Sequence, residues 1–234
     1  MIPDTELNIW EHSQNVRQLY RQRSLGEVGE MDASAQGAEL LAPFITQAER
    51  PPRLLDAGCG SGYLWPSLKK RGLKVEYHGL DYSPSLIDIG RETLGLPPER
   101  LICGSIEDLR GQSFDLVALI NTLSFGPDFR QPLARLADTG ARAIVIRDNF
   151  GPETIRRWET DGYLDPGYNH LKAYWNQWQT AEVAGFLAGY GFTVTEVPDR
   201  RTRGRVEMVV DKPYYWSWLV AVRPGSLMKM RNPL

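Results

Sequence analysis

The chain is poor in the residues that metal clusters and disulfide frameworks require. Its 234 residues include two cysteines, Cys59 and Cys103, and three scattered histidines, His12, His78 and His170. Neither set has ligand spacing, so no metal site and no disulfide scaffold is expected. An excess of charge of one sign is also lacking. The net charge of −2 creates no general field for nucleic acid or an anionic membrane. Long apolar runs are missing as well: the most apolar stretch, 214–222, falls short of the about 20 residues that span a bilayer. Residues 1–22 show no basic segment followed by an apolar core, as a signal peptide would. These absences predict a cytoplasmic protein with neither nucleic acid nor membrane as partner; a monomer or homodimer is the default, since the sequence does not give the oligomeric state.

What is present suits one α/β domain, 1–234, with 42% hydrophobic and 24% charged residues. Short apolar segments bounded by Gly, Asp or Pro predict strands over 53–57, 75–81, 100–104, 114–120 and 141–148. Helical patterns alternate with them. One spans 32–47, with Leu40, Leu41, Phe44 and Ala48 at helical spacing. Another follows the Ser83-Pro84 start signal and closes at Gly95, a third covers 131–139, and a fourth is capped by Thr180 and stops at Gly191. Such alternation predicts parallel pairing with right-handed crossovers. Two last strands, 192–197 and 214–222, have no helix between them and should pair as an antiparallel C-terminal hairpin. The expected fold is a doubly wound, mostly parallel, seven-stranded Rossmann-like sheet. Two segments exceed that pattern: residues 1–31, an N-terminal helical lid, and 149–179, an aromatic-rich insertion.

The stretch LLDAGCGSG, Leu54 to Gly62, places glycines at alternate positions 58, 60 and 62. Glycines let the backbone approach a ligand closely and adopt dihedrals closed to other residues. A dinucleotide loop reads G-x-G-x-x-G, so the spacing differs. Asp56 differs more, because a carboxylate there would repel a pyrophosphate and suits a cofactor with a positive centre. Asp81 ends the next strand, where an acid can take both ribose hydroxyls. The bland alternatives are a tight connection for the glycines and a helix cap for Asp81.

LLDAGCGSG, GLDYSP, CGSIEDL and FDLVALINTLSF together resemble the successive motifs of class I S-adenosylmethionine-dependent methyltransferases. The resemblance covers Leu54 to Phe125 and extends loosely to Val222. It implies S-adenosylmethionine as cofactor, held by Asp56, Gly58, Gly60, Gly62, Asp81, Tyr82, Ser105, Ile106 and Asn121. In it, the helix opening near Tyr63 offers amides to the methionine carboxylate, and Asp56 meets the ammonium. Ile106 packs on the adenine face, and Ser105 stands where most relatives carry Asp for the exocyclic amine. Asn121 lies where the methyl group emerges.

The acceptor is encoded in the less family-like parts. The turn Asn121-Thr122-Leu123-Ser124 is not the [DN]-P-P-[FYW] turn of enzymes that methylate base amines. Neither cysteine suits cytosine C5 chemistry, and no acid from Leu116 to Pro127 matches the glutamate pair of arginine methylation. These differences favour an oxygen or nitrogen of a small polar acceptor, a saccharide or secondary metabolite. The alternatives are a tRNA or protein methyltransferase, suggested by the basic run Arg200, Arg201, Arg203 and Arg205, and a non-catalytic cofactor-binding interaction module. The same basic run reads equally as a solvated edge. Tyr20 is a candidate lid residue or a helix anchor. Tyr168, Trp175 and Trp178 are candidate acceptor contacts or packing groups. His170 is a candidate general base or a structural histidine. Asp148 is a candidate base or substrate contact. The Asp148-Asn149 pair resembles part of a catechol-methyltransferase magnesium set, but Asn121 stands where its third acid would be, so no metal is expected.

Overall fold

The computed structural model describes residues 9–161, 164–209 and 212–225. A short 3₁₀ turn, Ile9–His12, leads into α1, Gln14–Leu25, and then α2, Asp32–Thr46. The alternating core follows: β1 Arg53–Ala57, α3 Leu64–Lys70, β2 Glu76–Asp81, α4 Pro84–Thr93, β3 Leu101–Cys103, β4 Leu116–Ile120, α5 Arg130–Asp138 and β5 Ala143–Gly151. Next come three short strands, β6 Trp158–Thr160, β7 Lys172–Tyr174 and β8 Trp178–Gln179, then α6 Thr180–Gly189 and β9 Thr193–Pro198. A small hairpin of β10 Glu207–Val209 and β11 Lys212–Tyr214 precedes β12 Trp216–Val222.

The main path of the sheet has seven strands in the order β3-β2-β1-β4-β5-β12-β9. The first five are parallel, and β12 is antiparallel to both β5 and β9. The expected terminal pair therefore forms, with the last strand wedged inside the edge. Short β8 adds a parallel contact to the end of β5.

Strand periodicity sorts the core into two layers. Leu55, Val117, Leu119, Ile144, Ile146 and Leu219 face α5 and α6 through Leu133, Leu136, Val183 and Leu187. Their chain neighbours Leu54, Leu116, Ala118, Val145 and Trp218 face α2, α3 and α4 through Leu41, Phe44, Leu64, Leu68 and Ile87. Helices on both faces make the sheet doubly wound. Among the described residues no helix is long and apolar enough to cross a membrane.

Two expected caps differ. α6 begins with Thr180 itself, with Gln179 at the cap position and no side-chain cap bond. Ser83 holds the N-cap position of α4 ahead of Pro84, as expected, but its hydroxyl donates to the Glu11 carboxylate and accepts no helix amide. That same Glu11 oxygen accepts the Ser85 amide at 3.1 Å and the Ser85 hydroxyl at 2.9 Å. An acid from the N-terminal segment thus serves one free amide of α4, where a negative charge also meets the positive end of the helix dipole.

The edge strand is tied to the sheet by a buried ion pair, Arg147 Nε to Asp199 at 2.7 Å, with side chains 3% and 1% exposed. Asp199 also accepts the Thr202 amide and hydroxyl, and the Arg147 guanidinium stacks 4.2 Å from the Trp216 ring centroid. Removing one partner of such a pair leaves the other charge buried and uncompensated. Asp199→Asn should cost about 3–5 kcal/mol of stability, read by denaturant melts. A loss below about 1 kcal/mol would mean that water reaches Arg147.

Candidate active site

The strand order reverses at β1, which has β2 on one side and β4 on the other. Loops leaving such a switch point diverge and open a crevice at the carboxyl ends of the strands. Here that crevice is a cavity of about 420 Å³. Its floor includes Gly58 and Gly60 after β1, Asp81 and Tyr82 after β2, Ser105 and Ile106 after β3, and Asn121 after β4.

The glycine loop meets its surroundings with no room for side chains. Gly58, Gly60 and Gly62 have φ of 69°, 57° and 77°, a region that disfavours any other residue. A Cβ on Gly58 would lie 2.3 Å from the Thr122 hydroxyl, and one on Gly60 would lie 2.5 Å from the Tyr20 ring. Gly62 is not on the cavity wall; a Cβ there would meet Leu94 at 2.6 Å, so this glycine lets β1 and α4 pack closely. α3 begins at Leu64, after a turn over 60–63.

Two carboxylates support the loop. Asp81 accepts the Gly60 amide at 2.7 Å and the Ser83 amide at 2.9 Å, one on each oxygen. Each oxygen keeps a further lone pair for a ligand hydroxyl. Burial pushes the Asp81 carboxyl up to about 6, against the pull of those amides. Asp56 is buried, accepts the Tyr77 hydroxyl at 2.6 Å and does not line the cavity. Burial pushes its carboxyl up to about 7; the Tyr77 hydroxyl opposes that shift and the Asp81 charge adds to it. Tyr77 was not singled out from the sequence, although the alternation of Tyr77, Gly79 and Asp81 in β2 put it on the face of Asp81. The register, Leu54 with Tyr77 and Asp56 with Gly79, brings it to Asp56.

The loop after β4 is held from β5. Asp148 is fully buried and accepts four backbone amides, from Thr122, Leu123, Ser124 and Asn149, at 2.7–3.2 Å. Burial still pushes its carboxyl above the usual range. Asn149 bonds the Asn176 carbonyl and the Tyr215 amide. Both side chains are committed to backbone, which corrects the expectation of Asp148 as base or substrate contact and leaves neither residue facing a metal. Arg147, one residue earlier, donates to the Asn121 side chain. Asn121 lines the cavity with φ of 56°.

The remaining wall comes from the segments that exceed the minimal pattern. Trp10 and Tyr20 contribute from the N-terminal region, with Phe125 after β4 and Trp158 and Tyr174 from the 149–179 insertion. Tyr20 packs edge-on against Tyr63, and burial pushes its hydroxyl up to about 12. It is therefore a proton donor at neutral pH, not a base. The insertion reaches the cavity through residues other than those expected. Trp178 is fully buried and donates to the Leu123 carbonyl at 3.1 Å. Trp175 is buried against Phe125. Tyr168 stacks on His12 with ring centroids 4.4 Å apart, and His170 is exposed. None of these four lines the cavity, so packing and surface position replace the pocket roles expected for them. Tyr163 lies outside the described residues. Trp158 and Tyr174 were not singled out, because they come together only as a cross-strand pair of β6 and β7.

Residues 54–139 match the sequence model of the methyltransferase domain family. A malonyl-[acyl-carrier protein] O-methyltransferase of Anoxybacillus flavithermus is 29% identical over 112 residues, 47% of this chain and 43% of that protein. This chain thus spans less than half of that relative's length. By structure, magnesium protoporphyrin IX methyltransferase of Synechocystis PCC 6803, solved with bound SAM, superposes with a TM-score of 0.57 at 19% identity. That match covers 93% of this chain and 97% of the other. The 1,6-didemethyltoxoflavin-N1-methyltransferase of Burkholderia thailandensis, with S-adenosylhomocysteine, gives 0.54 at 19% identity over 83% and 79%. These similar structures share the fold.

The two raised carboxyls make a pH prediction. Asp56 and Asp81 bind protons more tightly in the folded chain than at their ordinary value of 3.8. The folded state then holds more protons, so stability should decline as pH rises from about 4 to about 7 and level off above. Asp56→Asn should flatten much of that slope in denaturant titrations across this range. A slope that Asp56→Asn leaves untouched would mean that Asp56 is ionised throughout.

Proposed function

We propose that this chain, a member of the class I S-adenosylmethionine-dependent methyltransferase family, transfers a methyl group from S-adenosylmethionine to an oxygen or nitrogen of a small-molecule acceptor. The observation that carries this reading is the Asp81–Gly60 pairing beneath a cavity whose glycine backbone leaves no space for a Cβ.

The residues present fit the cofactor. Asp81 offers a charge-assisted, bidentate site to two ribose hydroxyls. Ile106 offers an apolar face to the adenine, and Ser105, whose hydroxyl accepts the Glu107 amide at 3.2 Å, stands beside it. Tyr20, Trp10 and Tyr82 present aromatic walls, which suit a sulfonium. Asp56 acts behind the loop, where it accepts the Tyr77 hydroxyl beneath the glycines. The cofactor supplies an activated methyl on positive sulfur, and displacement leaves a neutral thioether.

Such a displacement needs chiefly orientation and exclusion of water. Asn121, held by Arg147, and the Thr122–Ser124 amides, held by Asp148, form a rigid edge beside the glycine loop. Trp10 and Tyr20 close the opposite side, which supports reading the described N-terminal residues 9–31 as a lid. A polyanionic acceptor such as tRNA finds little support. Within the basic run, Arg200 is paired with Glu39 and Arg201 with Glu207.

Calorimetry should give micromolar binding of S-adenosylmethionine and S-adenosylhomocysteine and weaker binding of NADH. Asp81→Ala should weaken cofactor binding by more than about tenfold, with an unchanged circular dichroism spectrum. Preference for NADH would overturn the reading. Unaltered affinity in the variant would reduce Asp81 to a support for the Gly60 and Ser83 amides.

A further inference from the structure

The part of the cavity beyond the strand ends has a distinctive chemistry. Its walls are Trp10, Phe125, Trp158 and Tyr174, together with Pro127 and Asp128. Trp10 meets Phe125 edge-on at 5.3 Å, and Trp158 lies 4.4 Å from Tyr174 across the β6–β7 hairpin. Trp158 is 41% exposed on a strand with no buried residue, so its ring is available to a visitor. We propose that this lobe binds a planar aromatic acceptor and that the methyl group goes to an uncharged nitrogen of its ring system. The proposal rests on the methyltransferase reading and names the acceptor class for it.

Two constraints select that nitrogen. First, among the described residues lining the cavity there is no Lys, Arg or His, while Asp81, Glu107 and Asp128 are acidic. A carboxylate or phosphate on the acceptor would lose its hydration and find no counter-charge. The nearby guanidiniums of Arg130 and Arg156 are engaged by Asp128. Second, no side chain of this lobe is suited to take a proton from an alcohol. Asp81, with its carboxyl pushed up to about 6, lies on the floor, accepts the Gly60 and Ser83 amides and is assigned to the ribose. Tyr20 keeps its own proton. Burial raises the Asp128 carboxyl, but the Arg130 amide and the two guanidiniums pull it below the usual range. Efficient proton transfer needs a base poised near the operating pH, and a saccharide hydroxyl would lack one.

A neutral ring nitrogen avoids both costs. Its lone pair forms the new N–C bond, the C–S bond breaks, and those electrons stay on sulfur. The nitrogen becomes cationic or, if it carried a hydrogen, releases that proton to solvent. The positive charge develops among aromatic faces and carboxylates, which attract it.

The test uses probes of one shape, quinoline, 2-naphthol and 2-naphthoate, with methyl glucoside as a saccharide. Each is titrated into the full chain saturated with S-adenosylhomocysteine, and each is incubated with S-adenosylmethionine for detection of its methylated product by mass spectrometry. Quinoline should bind about tenfold or more tighter than 2-naphthoate or methyl glucoside and should alone gain a methyl, on nitrogen. Trp158→Ala should weaken quinoline about tenfold while leaving S-adenosylhomocysteine affinity unchanged. Equal or tighter binding of 2-naphthoate or the glucoside, methylation of 2-naphthol, or no binding of quinoline would each overturn the acceptor class while the methyltransferase reading stands. Failure of the chain to bind S-adenosylhomocysteine at all would instead remove that reading, and this proposal with it.

Discussion

Two consecutive residues in the middle of β5 hold the site together. Asp148 gathers the amides of Thr122, Leu123 and Ser124 on one side of the strand, and Arg147 reaches Asn121 and Asp199 on the other. Adjacent strand residues point to opposite faces, so one dipeptide grips the β4 loop from two directions. That grip keeps Asn121 in a left-handed conformation and sets the Thr122 side chain against Gly58. Without it the glycine loop would lose one wall of its cradle. A carboxylate satisfied by four amides and a guanidinium satisfied by a carboxylate, an amide oxygen and an indole face are costly to bury, but here few of their polar groups lack a partner.

The glycine loop carries the complementary constraint. Its left-handed residues bring backbone amides inward, where Asp81 takes that of Gly60. Asp81 thereby links β2 to the loop of β1 and still lines the cavity. Burial raises the proton affinity of both acids beside the loop, with the Asp81 charge adding to the shift at Asp56 and the Glu11 charge to that at Asp81. A ligand with a positive centre relieves that repulsion, so the site is electrostatically suited to a cation.

The cavity is closed by parts of the chain that local patterns describe poorly. Glu11 fastens the N-terminal segment to the start of α4, which places Trp10 and Tyr20 over the floor. The insertion contributes a small antiparallel pair, β6 and β7, and the aromatics that reach the cavity are Trp158 and Tyr174. Trp175, one residue further on, packs behind Phe125 in a cluster with Tyr214 and Trp216 and does not reach the cavity. An aromatic-rich composition marked the right segment, but the facing of each ring depended on strand pairings that its own sequence does not encode.

The sequence by itself determined the sheet, its two buried faces and the glycine–acid floor. Period-two alternation, glycines with positive φ and an acid at a strand end are local requirements, legible wherever they occur. Strand ends shifted by one to three residues, Gln179 and not Thr180 holds the cap position of α6, and Ser83 keeps its cap position while the Glu11 carboxylate takes the Ser85 amide. Only the tertiary structure decided which side chains meet the acceptor and which carboxylate is spent on backbone. Asp148 read as a free acid until the Thr122–Ser124 amides closed around it, and Trp10 acquired a role only by meeting Phe125 more than a hundred residues away. Contacts of that kind arise from how distant segments pack, and no local periodicity or propensity registers them.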